Sequence, residues 1–140
     1  NGRNANGSTT SYQYPTQSPY LNNVSTFSFG GAQGFVIKTD GTLWAWGYNN
    51  NGGLGTGDAE SVSVPVQIGT GTWTDIACIG LSMGTVAVKS DGTLWGWGRN
   101  FHGSVGDGTF TVRSSPVQID SGTNWISCGG IDESHFAISQ

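Results

Sequence analysis

The sequence predicts an all-β fold built from stacked sheets, and three observations lead to this prediction. Glycine occupies 24 of the 140 positions and tryptophan six, whereas charged residues make up only 10% of the chain. Such a composition favours turns and strands over helices. A long segment occurs twice, and each copy carries an Asp-Gly pair between two apolar stretches. That last pattern is typical of a β-hairpin.

Two parts of the chain repeat each other at a fixed offset. Residues 38–47 return as residues 89–98, an offset of 51. The register then holds through the Pro-Val-Gln-Ile and Ile-x-Cys-x-Gly segments that follow in both copies. The repeat therefore divides the chain into a unit at about 24–75, a unit at about 76–125 and a partial unit at 126–140.

The partial unit and the N-terminal segment leave the repeat incomplete at both ends. Residues 136–138 form an apolar strand, and the hairpin partner expected after it does not follow. Residues 1–23 are rich in Ser, Thr, Asn and Gln and allow two interpretations. Either they form a degenerate strand pair, with residues 6–7 (Asn-Gly) as its turn and residues 12–14 (Tyr-Gln-Tyr) in place of the Trp-x-Trp strand, or they form a mobile polar linker.

The hairpin turns are predicted at Asp40-Gly41 and Asp91-Gly92. A two-residue turn of type I′ needs positive φ at both of its central residues, which Asp and Gly tolerate. This turn fixes the pairing of the two strands that it joins. It also decides which side chains share a face of the sheet.

With this pairing, the large apolar side chains of each hairpin fall on one face. The predicted core face consists of Phe35, Ile37, Trp44, Trp46, Val86, Val88, Trp95 and Trp97. The smaller face consists of Val36, Leu43 and Ala45 in the first unit and of Ala87, Leu94 and Gly96 in the second. Because both faces are apolar, each sheet is expected to lie between two others, with a large face meeting a small one. We therefore interpret the four tryptophans as core residues and not as ligand contacts.

The repeated residues resemble a known family. The segment Asp-Gly-Thr-Leu-Trp-x-Trp-Gly-x-Asn-x-x-Gly-x-Leu-Gly-x-Gly, followed by Pro-Val-x-Ile and Ile-x-Cys-x-Gly, is similar to the regulator of chromosome condensation repeat. The resemblance covers most of residues 24–140. In the second copy Val105 replaces the leucine and Asp107 replaces Thr56. The resemblance implies a β-propeller with two full blades and a half-blade at each end, in a ring completed by other copies or by missing sequence.

No catalytic or cofactor site is predicted. The glycine-rich stretches at residues 52–57 and 103–108 lack the following helix and the Lys-Ser/Thr ending of a phosphate loop, so we expect inter-strand turns. His102 and His135 stand at non-equivalent places, and residues 132–135 (Asp-Glu-Ser-His) are interpreted as a polar loop tip.

No metal site is predicted either. Asp58, Glu60 and Asp107 do not have the spacing of a calcium loop. Cys78 and Cys128 occupy equivalent places of the repeat, which favours small buried side chains over a disulfide or metal pair.

Three aromatic residues fall in loops and not at repeated core positions, namely Tyr48, Phe101 and Phe110. Loop aromatics on a rigid scaffold are a common way to bind glycans or proteins. Packing across neighbouring blades is the alternative for all three. They are therefore candidate binding loops.

The net charge and the predicted architecture together limit the possible functions. A formal net charge of −4 argues against a nucleic-acid partner, and no apolar run reaches the roughly 20 residues that a membrane span needs. The half-units at both ends favour a non-enzymatic structural and binding module without cofactor, built into a homo-oligomeric assembly, and the resemblance to other short-repeat proteins implies a phage virion or a bacterial surface layer. We therefore expect an extracellular or virion location. The alternatives are a glycan- or protein-binding adhesin, a regulatory exchange factor and an enzyme inhibitor.

Overall fold

The computed structural model describes residues 4–10, 13–14, 16–78, 80, 84–131 and 134–140. These ranges contain ten strands and no helix. In chain order the strands are β1 (Val24–Gly30), β2 (Gln33–Lys38), β3 (Leu43–Gly47), β4 (Val62–Gln67), β5 (Trp73–Cys78), β6 (Gly84–Lys89), β7 (Leu94–Gly98), β8 (Arg113–Gln118), β9 (Trp125–Ile131) and β10 (Ser134–Ser139). Accordingly, the described part holds no helix that could span a membrane.

Consecutive strands form antiparallel sheets that repeat along the chain. Strands β1 to β4 make one sheet in chain order, β5 to β8 make a second in the same order, and β9 pairs with β10. Strand β5 packs against β1 and β2, and β9 packs against β5 and β6. The predicted all-β architecture of four-stranded blades is confirmed. The second and third sheets begin at Trp73 and Trp125, slightly before the unit bounds read from the sequence.

The hairpin turns are one residue longer than predicted. The amide of Gly41 donates to the carbonyl of Lys38, and the amide of Lys38 donates to the carbonyl of Thr42, both at 2.9 Å. These bonds close a three-residue loop, a type I turn followed by a glycine bulge. Gly41 has a φ of 81°, as predicted, but Asp40 has no positive φ, so the type I′ turn was wrong. The Asp40 carboxylate instead accepts the amide and the hydroxyl of Thr42, at 2.9 and 2.7 Å.

The second hairpin is built in the same way. Gly92 has a φ of 79°, and its amide donates to the carbonyl of Lys89 at 2.9 Å. The Asp91 carboxylate accepts the amide and the hydroxyl of Thr93, at 3.0 and 2.6 Å. The aspartate therefore holds the turn through its side chain, and the glycine supplies the left-handed backbone.

The longer turn shifts the pairing by one residue and exchanges side chains between the faces. One face carries Phe35, Ile37, Leu43 and Ala45 in the first sheet and Val86, Val88, Leu94 and Gly96 in the second. The other face carries Gly34, Val36, Trp44 and Trp46 in the first sheet and Thr85, Ala87, Trp95 and Trp97 in the second. We call these the receiving face and the tryptophan face. The prediction that Phe35, Ile37, Val86 and Val88 share a face with the tryptophans was wrong, because they lie on the other face of each sheet. All four are nevertheless buried, as expected of core residues.

The tryptophan face of the second sheet packs on the receiving face of the first. Trp97 is fully buried, and its ring centroid lies 6.4 Å from that of Phe35. Its indole N–H donates to the carbonyl of Gly53 at 2.9 Å, and the hydroxyl of Thr85 donates to the same carbonyl at 3.1 Å. The other fully buried residues of this interface are Ile37, Leu43, Ala45, Leu54, Ile68, Trp73, Ile76 and Ala87. A large face thus meets a smaller one.

The four hairpin tryptophans differ in burial. Two are fully buried, Trp46 and Trp97, and two are half-buried, Trp44 and Trp95. The Lys89 ammonium lies 3.6 Å from the ring centroid of Trp95, and that of Lys38 lies 4.4 Å from the ring centroid of Trp44. A cation over an aromatic face is attracted by the ring quadrupole. The half-buried pair therefore lies under lysine side chains at the edge of the core.

Residues 4–10 lie on the tryptophan face of the first sheet. Ala5 is buried together with Trp46, and the amide of Gly7 donates to the carbonyl of Ser63 at 3.1 Å. This docking disagrees with the interpretation of the segment as a mobile linker.

The same segment does not form the predicted hairpin. The amide of Gly57 in the first unit donates to the carbonyl of Ser114 in the second at 2.8 Å, and the bond from Gly7 to Ser63 is its counterpart one repeat earlier. Residues 4–7 therefore correspond to residues 54–57, the loop before the fourth strand of a blade. The assignment of residues 6–7 as a hairpin turn was wrong. Tyr12, part of the proposed Trp-x-Trp replacement, lies outside the described residues.

Replacing Trp97 by alanine should destabilise the chain by about 3–5 kcal/mol, because a buried indole is lost and a cavity opens. Trp95→Ala should destabilise it less, since this ring is half-buried. Urea unfolding followed by far-UV circular dichroism measures both losses. Equal losses in the two variants would contradict the assigned faces.

Candidate functional site

A groove lies at the end of the repeat array, between the second sheet and the strand pair β9–β10. Its volume is about 420 Å³. It is lined by Val86 and Leu94 of the receiving face, by residues 103–106 of the glycine-rich loop and by residues 134–137 of β10. The remaining lining residues are His102, Ile119, Asp120 and Trp125. Val86 and Leu94 are themselves buried, whereas Ile119 is half-buried, so the groove opens beside Ile119 and β10.

The lining repeats the surface that holds Trp97 one repeat earlier. The corresponding pairs are Phe35 and Val86, Leu43 and Leu94, Leu54 and Val105, Gly55 and Gly106, and Ile68 and Ile119. A Cβ atom on Gly55 would lie 2.8 Å from Nε1 of Trp97, so the first loop rests directly on the indole. Ile68 is buried beneath this interface, whereas Ile119 is only half-buried. The groove is thus lined by counterparts of the residues that surround Trp97.

A buried asparagine shapes each glycine-rich loop. The side-chain amide of Asn100 donates to the carbonyl of Thr109 at 2.9 Å, and its oxygen accepts the amide of Val105 at 2.9 Å. Asn49 accepts the amide of Leu54 at the same distance. Because buried amide groups need partners for both ends, each asparagine holds its loop in one conformation. The two glycine-rich stretches are turns between strands.

The sequence predicted a polar loop tip at His135. The structure places this residue in the groove instead. Its Nδ1 atom is 2.6 Å from the carbonyl oxygen of Ser104. Thr85, which holds the corresponding position, donates to the carbonyl of Gly53, the counterpart of Ser104. Burial lowers the pKa of His135 below its ordinary value, although hydrogen bonding to the backbone of Ser104 and Gly84 acts in the opposite direction. The imidazole is therefore mainly neutral at pH 7.

Strand β10 is an edge of the described part of the molecule. It pairs with β9 alone. Phe136 and Ile138 are 54% and 51% exposed, whereas their counterparts Phe35 and Ile37 are buried. An edge strand with exposed apolar side chains is open to pairing with another chain.

The opposite end of the array exposes a second apolar surface on β1. Phe27 and Phe29 are 65% and 60% exposed, and the Phe29 ring packs edge-on at 5.8 Å from that of Trp46. In the second sheet the corresponding residues Ile76 and Cys78 pack on the first sheet. The same strand position is therefore covered inside the array and open at its end.

The acidic loop residues serve the loops themselves. The Asp58 carboxylate accepts the amide of Glu60 at 3.1 Å, and the Asp107 carboxylate accepts from Arg113 at 2.6 Å. Burial acts to raise the pKa of Asp107, but hydrogen bonds from Thr109 and Arg113 outweigh it and lower this pKa to about 2. Within the described ranges no three His, Cys, Asp or Glu side chains are grouped to hold a metal ion.

The cysteines are separate and unreactive. Cys78 and Cys128 are free and half-buried. Burial raises the pKa of Cys78 to about 12, and burial together with Asp75 raises that of Cys128 to about 12. Since only a thiolate is a good nucleophile or metal ligand, neither thiol is activated.

The three predicted binding-loop aromatics are not equally exposed. Phe101 and Phe110 are 54% and 71% exposed, and Tyr48 is half-buried. The Arg99 guanidinium lies 4.7 Å from the ring centroid of Phe101. Two exposed aromatic side chains therefore stand in the second loop region.

Sequence reasoning missed most of the groove. Among the lining residues, the sequence analysis considered His102 and His135 as catalytic candidates, but as unrelated loop residues. Asp132 and Glu133, which precede His135 in the chain, lie outside the described residues. Ser104 and Ile119 entered the sequence analysis only as parts of an inter-strand turn and of the Pro-Val-Gln-Ile segment. Their signal is the repeat itself, because they stand 51 positions after Gly53 and Ile68, which lie at the interface with Trp97.

Comparison with protein families identifies the repeat. The profile of the Regulator of chromosome condensation (RCC1) repeat matches residues 40–78 and 91–130. The matched residues make up more than half of the chain, which therefore belongs to the RCC1 repeat family. A comparison with curated proteins gives no match.

Solved structures with the same fold include RCC1-type propellers. Human WBSCR16 is similar with a TM-score of 0.82 and 16% identity, over 99% of this chain and 37% of that one. Prp20p from Saccharomyces cerevisiae is similar with a TM-score of 0.77 and 20% identity, over 100% of this chain and 38% of that one. Yeast RCC1 (Prp20), solved bound to Kap60, is similar with a TM-score of 0.75 and 21% identity, over 99% of this chain and 36% of that one. The chain thus spans little more than a third of these propellers.

The stability of the chain should fall as the pH drops below about 6.5, because the unfolded His135 then binds a proton that the buried imidazole resists. Above that pH the imidazole is neutral in both the folded and the unfolded chain, so its burial no longer lowers the free energy of unfolding. His135→Thr, which restores the residue of the second repeat, should remove this part of the pH dependence. Urea unfolding at a series of pH values measures it. An identical pH dependence in parent and variant would contradict the burial of the imidazole.

Proposed function

We propose that the chain is a non-enzymatic protein-binding module that associates with copies of itself, end to end. The observation that carries the proposal is the pair of open ends. One end exposes Phe27 and Phe29 on β1, and the other exposes Phe136 and Ile138 on β10. Exposed apolar clusters of this kind mark sites of protein association.

The apolar surfaces on β1 and β10 are expected to fit each other, because the same kind of contact already joins the first two sheets. Between the first two sheets, Ile76 of β5 packs over Phe35 and Ile37 of β2. Phe27 is the counterpart of Ile76, and residues 136–138 are the counterpart of residues 35–37. Association of β1 of one copy with β10 of another would repeat this contact. Such a head-to-tail interface is heterologous and continues until a ring closes.

Self-association should require both ends, and mixing two variants that each lack a different end should restore it. Phe27→Lys and Phe136→Glu each place a charge in one end, so each variant alone should stay monomeric where the parent associates. Each variant keeps the end that the other has lost, and an equimolar mixture should therefore form a heterodimer. Sedimentation velocity over a concentration series distinguishes these species.

The control is Phe110→Lys, which puts the same charge on an exposed loop aromatic outside β1 and β10. It should associate like the parent. A parent chain that is monomeric at every concentration, or a mixture that stays monomeric, contradicts the proposal.

A second candidate is glycan or protein binding through loop aromatics. Its support is the exposure of Phe101 and Phe110, with Arg99 beside the first ring. A glycan array with the parent chain and with Phe101→Ala separates the two candidates. Binding of Gsp1p and histones is described for Prp20p. It is not assigned to this chain, because the identity is only 20% and the chain spans only 38% of Prp20p.

A further inference from the structure

We infer that the loop between β7 and β8 binds an acidic segment of a partner protein, in which a carboxylate side chain stands beside apolar side chains. In this arrangement the Arg99 guanidinium pairs with the carboxylate. The apolar side chains of the partner lie on Phe101, Phe110 and Val112. We call these four residues the loop patch. The inference rests on the second candidate function, binding through loop aromatics, and names the class of partner.

Two exposed phenylalanine side chains stand on neighbouring segments of this loop. Phe101 and Phe110 are 54% and 71% exposed. The side-chain amide of Asn100 donates to the carbonyls of Thr109 and Thr111, at 2.9 and 3.1 Å. This buried asparagine thereby ties the chain next to Phe101 to the residues on both sides of Phe110. The two rings are therefore presented by one fixed loop.

Val112 and Arg99 complete the loop patch. In the first loop the hydroxyl of Ser61, the counterpart of Val112, accepts the amide of Asn49 at 3.0 Å. Position 112 therefore borders the segment that carries Phe101. The Arg99 guanidinium lies 4.7 Å from the ring centroid of Phe101. An arginine stacked on an aromatic ring keeps a planar fork of donors that matches a carboxylate.

The exposure of the loop patch does not depend on its place at the end of the array. The first loop lies under the second sheet, since a Cβ atom on Gly52 would lie 2.6 Å from the Cα atom of Ser114. The counterparts of the three apolar residues, Asn50, Ala59 and Ser61, are nevertheless exposed there. Packing of one sheet on the next therefore leaves these positions open.

The two loops share a backbone arrangement and differ in the side chains that they present. The side-chain amide of Asn49 donates to the carbonyls of Asp58 and Glu60, both at 3.2 Å, and these bonds are the counterparts of those that Asn100 makes. The first loop carries Tyr48, Asn50, Ala59 and Ser61 at the positions of the loop patch. Because the fold of the loop does not need exposed apolar side chains, those of the second loop indicate a binding surface.

The charge of the second loop favours an acidic partner. Residues 48–62 carry two carboxylates, Asp58 and Glu60, and no lysine or arginine, whereas residues 99–113 carry two arginines and one aspartate. Arg113 pairs with Asp107 at 2.6 Å. Among the described residues no carboxylate forms an ion pair with Arg99. In a chain with a net charge of −4, the second loop thus presents one unmatched positive charge beside exposed aromatic rings.

The polar groups of the loop are already paired, which favours a peptide over a glycan. The Asp107 carboxylate accepts the hydroxyl of Thr109 at 2.8 Å as well as the guanidinium of Arg113. The hydroxyl of Ser104 donates to the carbonyl of Arg99 at 2.9 Å. A sugar has many hydroxyl groups that need hydrogen-bond partners on the protein. Aromatic rings and an arginine are instead the usual anchors of protein interfaces.

A phage-displayed library of random dodecapeptides tests the inference on the intact chain. The selected peptides should combine Asp or Glu with large apolar residues. Fluorescence anisotropy then measures the affinity of one selected peptide that carries fluorescein. Its affinity should fall with added salt, because the charges are exposed. A peptide with Asn and Gln in place of Asp and Glu should bind about fivefold or more weakly, since a hydrogen bond to a charged group is lost.

Variants of the protein locate the site. Phe101→Asn, Phe110→Ala and Val112→Ser together give the second loop the residues of the first, and this triple variant should bind about tenfold or more weakly because its anchors are lost. Arg99→Lys keeps the charge and should bind more tightly than Arg99→Gln. Phe27→Glu on β1 is the control and should bind like the parent. The neutral peptide and Arg99→Gln keep the test valid if the triple variant fails to fold.

A selection that enriches no peptide, or only peptides without acidic residues, would overturn the inference. Equal binding by the folded triple variant or of the neutral peptide would also overturn it. A glycan that binds the parent and not Phe101→Ala, while no peptide binds, would replace the acidic segment by a sugar ligand. Self-association is measured without peptide and through Phe27 and Phe136, so its failure and the failure of this inference are distinguished.

Discussion

The described structure depends on one contact between its first two sheets, in which Trp97 of the second sheet lies on the receiving face of the first. Trp97 buries its whole indole there and donates its N–H to the carbonyl of Gly53 at 2.9 Å. A large aromatic surface is removed from water, and its single polar atom is satisfied. Because each of these sheets is apolar on both faces, this contact joins the first blade to the second.

The contact in turn depends on the glycine-rich loop that presents the carbonyl. Asn49 holds this loop through the amide of Leu54, and Gly55 leaves room for the indole, since a Cβ atom there would lie 2.8 Å from Nε1. The same device around Asn100 shapes the groove at the open end. The glycine-rich motif therefore serves packing between blades.

The repeat and the strand content follow from the sequence, because the 51-residue offset and the apolar stretches on either side of Asp-Gly are local features. The faces were assigned wrongly because Asp-Gly fits both a two-residue turn and a three-residue loop with a glycine bulge, and one residue of difference exchanges the faces. Residues 4–7 were misassigned because Asn-Gly resembles a turn, whereas the bond from Gly7 to Ser63 shows a blade loop. The groove was missed because its residues read as ordinary core positions.

Hydrogen exchange of the indole N–H groups, followed by NMR, tests the central contact most directly. The chain has six tryptophans, and Trp95 is an internal reference, since its half-buried indole donates to Thr93 within its own hairpin. If Trp97 joins the two sheets, its indole N–H should exchange only through global unfolding, and that of Trp95 should exchange faster through local opening. Exchange of the Trp97 indole at the rate of an exposed indole, while strand amides stay protected, would contradict this account.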